Sequence, residues 1–154
     1  MKPHNLYFLM PLMLLISSAL TQAADRWVSQ TINGDLLAIT PAYQLQVYMV
    51  ERPTETIWAK INIPVNEDQL PELHKHRKSP NFPFVDVGVD VDGYYRTAQG
   101  HIHDEQKLIT VEIDQRHWDG LKKGNKLILS LPDGTKLEEP LRGSGAVLRS
   151  IERR

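Results

Sequence analysis

The chain has 154 residues, 41% of them hydrophobic and 24% charged, with a formal net charge of -1. Those proportions are those of one ordinary soluble domain, and the balanced charge argues against nucleic acid as a partner, because phosphate neutralisation needs a cationic excess. There is no cysteine, which excludes disulfides, thiol nucleophiles, thiolate metal sites and redox pairs.

Residues 1–23 read as a cleavable signal peptide. Lys2 gives a short positive start, Leu6 to Leu20 is an uncharged apolar run, and Thr21-Gln22-Ala23 places small residues for cleavage before Ala24. A membrane span needs roughly 20 apolar residues, and no basic cluster follows this run directly. The expectation is a periplasmic or secreted protein with no retained membrane span. Residues 24–154 then form a single domain, since no linker or internal repeat divides them.

Trp27 and Val28 lead into a first strand that ends at Asn33-Gly34. Leu36 to Thr40 makes a second strand, closed by Pro41. Tyr43 to Val50 alternates, with Leu45, Val47 and Met49 inward, and Thr56 to Ile63 alternates again, with Ile57, Ala59, Ile61 and Ile63 on one face. Trp58 falls on the nominally polar face, as a cover for an apolar patch or as a contact residue.

Pro64 to Pro83 is irregular. Asn66 to Gln69 resembles a capped helix start, Pro71 to His76 a short helix with proline in its first turn, and His74-Lys75-His76-Arg77-Lys78 is a compact cationic run. Val85 to Val91 is the clearest element of the chain. Four valines alternate with Asp86, Gly88 and Asp90, and Asp92-Gly93 supplies a tight turn into Tyr94 to Thr97. His101 to Glu105 reads as a polar connection and Leu108 to Ile113 as a firm strand.

Asp114 caps a short helix that stops at Lys122-Lys123-Gly124. Lys126 to Leu131 and Lys136 to Leu141 pair around Pro132-Asp133-Gly134. After Gly143-Ser144-Gly145 a final helix presents Ala146, Leu148 and Ile151 to the sheet, with Arg149, Arg153 and Arg154 outward. The fold class is all-β: a single antiparallel β-sandwich or partly open barrel with one or two short helices.

The segment from Val89 to Ser144 resembles the invasion-associated locus B family of small exported bacterial proteins. The match is carried by Leu121-Lys122-Lys123-Gly124-Asn125-Lys126-Leu127-Ile128-Leu129, Asp133-Gly134, Pro140-Leu141-Arg142-Gly143-Ser144 and Ala146-Val147-Leu148, with Trp27 near the mature start. The chain has none of the cysteines that many members carry around the hairpin. The resemblance implies an exported β-sandwich linked to bacterial interaction with host cells, and it implies no enzyme.

Among polar constellations, the His-x-His pairs His74/His76 and His101/His103 have the spacing that places two imidazoles on one strand face, where zinc or copper can be shared. Solvated surface histidines are the alternative reading. Asp86, Asp90 and Asp92 fail the spacing of a calcium loop. Ser144 lacks the Gly-x-Ser-x-Gly elbow. Lys75, Arg77 and Lys78, with Trp58, form the candidate binding surface toward an envelope or extracellular protein or polymer. Three readings follow. The first is a non-enzymatic exported binding module, with no cofactor. The second is a periplasmic zinc or copper protein, and the third a structural accessory of an envelope assembly.

Overall fold

The computed structural model describes residues 25–153. The signal-peptide reading and Arg154 lie outside them. Nine strands form one antiparallel sheet: β1 (Val28–Ile32), β2 (Asp35–Ile39), β3 (Gln46–Met49), β4 (Ala59–Pro64), β5 (Phe84–Val91), β6 (Tyr94–His103), β7 (Leu108–Ile113), β8 (Lys126–Ser130) and β9 (Lys136–Pro140). The spatial order is β1-β2-β3-β4-β7-β6-β5-β8-β9. The sheet curls into a half-barrel. Of the two all-β forms expected, the partly open barrel is therefore the one adopted. No helix among the described residues is long and apolar enough to cross a membrane.

The period-two pattern explains the inner face. Ala38, Val47, Ile61, Val111, Gly100 and Val85 are successive cross-strand partners, forming one row around the curl. Every side chain in that row is fully buried, and each valine or isoleucine so buried contributes on the order of 2 kcal/mol. Gly100 is part of this packing. A Cβ there would stand 2.9 Å from side-chain carbons of both Ile109 and Val87. Two hairpins turn on two-residue loops with positive φ at both positions, Asn33-Gly34 and Asp92-Gly93, as residues of those types allow.

The described residues hold three α-helices, against the one or two of the expected fold class, and each lies where the sequence offers a helical stretch. A 3-10 turn (Glu67–Gln69) runs directly into α1 (Leu70–Lys75), so both expected helical starts are used. Its entry is held by the Asn66 N–H donating to Gln69 Oε1 at 2.8 Å. Helix α2 (Gln115–Lys123) is capped by Asp114, whose carboxylate accepts from the His117 N–H at 2.7 Å. His117 is buried, and its Nε2–H donates to the carbonyls of Val89 and Tyr94, both at 3.2 Å. That fixes α2 beneath the β5–β6 hairpin.

Helix α3 (Ser144–Glu152) packs on α2 and on β1, β2 and β3. Its buried residues are Ser144, Gly145, Leu148 and Ile151. Ala146, expected to face the sheet, is exposed. A 3.6-residue period puts positions 144, 148 and 151 on one face and position 146 on the other.

The two ends of the sheet are tied together. Glu139 on β9 is fully buried, and its carboxylate accepts from the Thr40 hydroxyl at 2.5 Å and from the N–H groups of Ala42 and Tyr43 at 3.0 and 2.6 Å. The Thr40 oxygen in turn accepts from the Leu45 N–H at 2.9 Å. The Trp27 indole N–H donates to the Pro140 carbonyl at 2.7 Å, joining the lead-in of β1 to β9. A buried carboxylate accepting several hydrogen bonds stabilises the turn it holds, because each donor would otherwise lose its water without replacement.

Candidate functional site: a groove on the outer sheet face

The same alternation that buries valines directs the other residues of each strand outward. On β3, β4, β7, β6 and β5 the outer partners are Gln46, Asn62, Thr110, His101 and Phe84, one row across five strands. A parallel row begins with Tyr48, Lys60 and Glu112. All of these side chains are half-buried. Apart from Gln46, they surround a cleft of about 430 Å³ that Gln99 and His103 also line.

Asn62 organises the middle of the cleft. Its Oδ1 accepts from the Thr110 hydroxyl at 2.9 Å and the Tyr48 hydroxyl at 3.4 Å, and its Nδ2 donates to Gln46 Oε1 at 3.1 Å. Burial raises the Tyr48 phenol above its ordinary pKa, against the lowering effect of the Asn62 bond, so the hydroxyl stays a donor. At the other end an aromatic file runs along the surface. Phe82 and Phe84 stack at 6.1 Å between centroids, Phe84 meets His101 edge-on at 5.1 Å, and the His101 and His103 rings are 4.2 Å apart. Burial, followed by the charges of His101 and Lys60, holds His103 below the usual imidazole value, which favours its neutral form.

A second, larger cleft of about 960 Å³ adjoins the first and shares Tyr48, Lys60 and Asn62 with it. It opens because β2 and β3 pair only at Ala38 and Ile39, so the strands splay toward the Asn33-Gly34 turn. Ile151 and Glu152 of α3 reach its wall. The smaller cleft is a groove that crosses the strands from β3 to β5 on the outer face. At about 4.8 Å for each of four strand steps, its length is about 19 Å.

The residues singled out from sequence fare differently. His101 and His103 are not in a connecting loop. Strand β6 runs through His103, so the pair shares the outer face as its spacing allows. His74 and His76 sit at the end of α1, where spacing two splays side chains apart. His74 Nε2 is 2.6 Å from Asp104, and His76 lies 3.6 Å from Glu72. Among the described residues, no three His, Cys, Asp or Glu side chains come together to hold a metal ion. The four histidines therefore do not form one site.

The cationic run is largely compensated by acids remote or near in sequence. Lys75 pairs with Glu72 at 2.8 Å, Lys78 with Asp86 at 2.6 Å, and Arg77 Nε donates to the His74 carbonyl at 3.1 Å. Trp58 is half-buried against the core rather than displayed as a contact residue. It stands just before β4, its N–H bonded to the Ile113 carbonyl at 2.8 Å, and its indole nitrogen is buried without a partner.

Other candidates have structural work. Asp90 accepts from the Gly93 N–H at 2.8 Å, and Asp92 from the N–H groups of Asn125 and Lys126 at 2.8 and 3.1 Å. The buried Ser144 hydroxyl lies 2.5 Å from the Leu121 carbonyl and 2.7 Å from that of Leu141, pinning α3 to α2.

Tyr48, Lys60, Asn62, Phe84, Gln99, Thr110 and Glu112 were not legible as a group in the sequence. Their only signal is that each occupies the outward phase of an alternating strand. No family model, no curated protein and no solved structure matches this chain.

Proposed function

We propose that the chain is an exported bacterial envelope protein, periplasmic or secreted after loss of residues 1–23, and that it acts as a non-enzymatic binding module in envelope or host-cell interaction. This is the role implied by its resemblance to the invasion-associated locus B family, which rests on the run from Val89 to Ser144. The groove across the outer face is its contact surface. One observation carries that assignment: amides, hydroxyls and rings from five strands, most of them half-buried, line a single cleft. Half-buried polar groups that are already oriented by one another bind a partner at low ordering cost.

The test is retention on isolated envelope fractions of the processed, tag-free protein, compared with Phe84→Ala and Gln99→Ala. Retention lost in the groove variants and kept in a Lys75→Ala, Arg77→Ala, Lys78→Ala variant supports the reading. Equal retention of all forms sinks it. N-terminal sequencing of the periplasmic and secreted material checks export, with Ala24 as the expected first residue.

The metal reading keeps one specific support, the 4.2 Å approach of the His101 and His103 rings on one strand face. Zinc and copper titration by calorimetry tests it, with one stoichiometric metal lost in His101→Ala as the required result.

A further inference from the structure

Taking the groove as the contact surface, we propose that its ligand is an uncharged glycan chain, laid across the strands with sugar rings on the aromatic file and hydroxyls on the polar row.

Between β3 and β5, where the rings and the polar row lie, the lining carries Lys60 as its cation and Glu112 as its anion, cross-strand neighbours that balance one another, while the acidic Asp35, Glu51 and Glu152 belong to the wall of the adjoining cleft. His103 is held toward its neutral form. In this cleft an anionic polymer therefore finds no cationic excess, and a cationic one no acidic excess. What the groove does offer is planar amide groups, hydroxyls and ring faces. A pyranose presents the complement: C–H groups on its flat faces, which rest on aromatic rings, and hydroxyls around its edge, which both donate and accept. Phe82 is 57% exposed and nearly parallel to Phe84, with 15° between the ring planes. That is an exposed apolar platform beside polar side chains, rather than an apolar pocket.

The direction of the groove also discriminates. An extended peptide binds a sheet by running alongside an edge strand, where its N–H and C=O groups complete the ladder. This groove crosses the strands on a face, where main-chain groups are already paired to neighbouring strands through β4, β7, β6 and β5. A ligand lying there is recognised through side chains alone. Its length of about 19 Å exceeds a single sugar ring and accommodates several in a chain.

The experiment is titration of the processed protein with neutral oligosaccharides of two to six units, using N-acetylglucosamine and glucose series as probes, followed by amide chemical shifts. The expected result is affinity that rises with chain length and changes little between low and high salt. Shifts should centre on Tyr48, Asn62, His101 and Thr110. Phe84→Ala should weaken binding by about tenfold or more. Gln99→Ala, at an exposed position, should weaken it without touching the fold. Trp58→Phe should not.

Silence toward every neutral glycan, while Phe84→Ala and Gln99→Ala still abolish envelope retention, overturns the glycan class and leaves the groove standing. Silence together with retention indifferent to both variants removes the groove reading as well. Salt-sensitive binding of an acidic polysaccharide, or saturable binding of an extended peptide with the same shifts, also overturns the proposal.

Discussion

Replacing Glu139 tests the claim that a buried carboxylate closes the half-barrel. Glu139→Ala removes the acceptor for the Thr40 hydroxyl and for the N–H groups of Ala42 and Tyr43. A hydrogen bond to a charged group contributes about 1.5–3 kcal/mol net, and a buried donor left bare costs about 1–3 kcal/mol. The three bonds do not add at full value. Ala42 and Tyr43 are exposed residues whose N–H groups can turn to water. Thr40 is fully buried and cannot. Losing the carboxylate also relieves its own desolvation.

The balance is a loss of about 3 kcal/mol, a large part of a typical domain's stability of about 5–15 kcal/mol. For a domain of this size it corresponds to a fall in Tm of about 10 °C. Equilibrium urea unfolding, followed by tryptophan fluorescence, measures it. An unchanged m-value shows that stability alone has moved. A loss below about 0.5 kcal/mol, the range of an ordinary surface substitution, would refute the closure argument.

Gly100→Ala should destabilise by about 1–3 kcal/mol in the same assay, because its Cβ meets Val87 and Ile109 at 2.9 Å and both are core side chains. Asp114 should govern part of the acid limb. Burial pushes its carboxyl up, but the His117 N–H, the His117 charge, Tyr94 and Arg96 outweigh this and hold it below the usual value. A depressed folded pKa gives stability that is present above the unfolded pKa, near 4, and is lost as pH falls through the folded value. Asp114→Asn should therefore flatten stability against pH below about 4. The splayed seam makes a prediction for hydrogen exchange. Val50 donates to the Trp58 carbonyl just before β4, so by alternation the Met49 amide faces β2, where pairing has ended. Met49 should exchange faster than Val47, and equal protection would show that the seam is closed in solution.

The inward half of the fold is legible in the sequence wherever the core residue is apolar. Val85, Val87, Val89 and Val91 announce their strand, and Asp92-Gly93 announces its turn. The same reasoning stopped β6 at Thr97 for a physical reason. The partners of Val89, Val87 and Val85 on that strand are Arg96, Ala98 and Gly100, and Arg96 is exposed. At Gly100 the facing Val87 and Ile109 leave no room for a Cβ, so between Tyr94 and the buried Ile102 this phase carries no large apolar residue. His101 and His103 were thereby assigned to a loop. Trp58 packs against the core, the apolar cover that was one of its two readings, whereas Ile57, expected inward, is exposed because it precedes the start of β4 at Ala59. The cationic run looked free because Asp86 and Asp104, which face Lys78 and His74, are supplied by other elements. The groove itself depends on the spatial order β3-β4-β7-β6-β5, which no single strand's pattern encodes.

The division between the two faces decides where a ligand can sit. The concave side of the curl is filled by Trp118 and Leu121 of α2 and by Leu148 and Ile151 of α3, packed against the valines and isoleucines of the sheet. Interior and exterior substitutions should therefore separate cleanly. A change on the inner rows alters packing density and costs stability. A change at an exposed outer position such as Gln99 leaves packing intact and should cost within about 0.5 kcal/mol. The curl has a further effect on the outer face. Strands that splay at the β2–β3 seam lower one side of the surface and open the larger cleft there. On the other side the Phe82-Phe84 pair projects beside the end of β6. The groove is thus a product of the same twist and closure that Glu139 secures at the far end of the sheet. Weakening that closure should loosen β2 against β3 and so lower affinity at Tyr48 and Lys60 without altering any groove side chain.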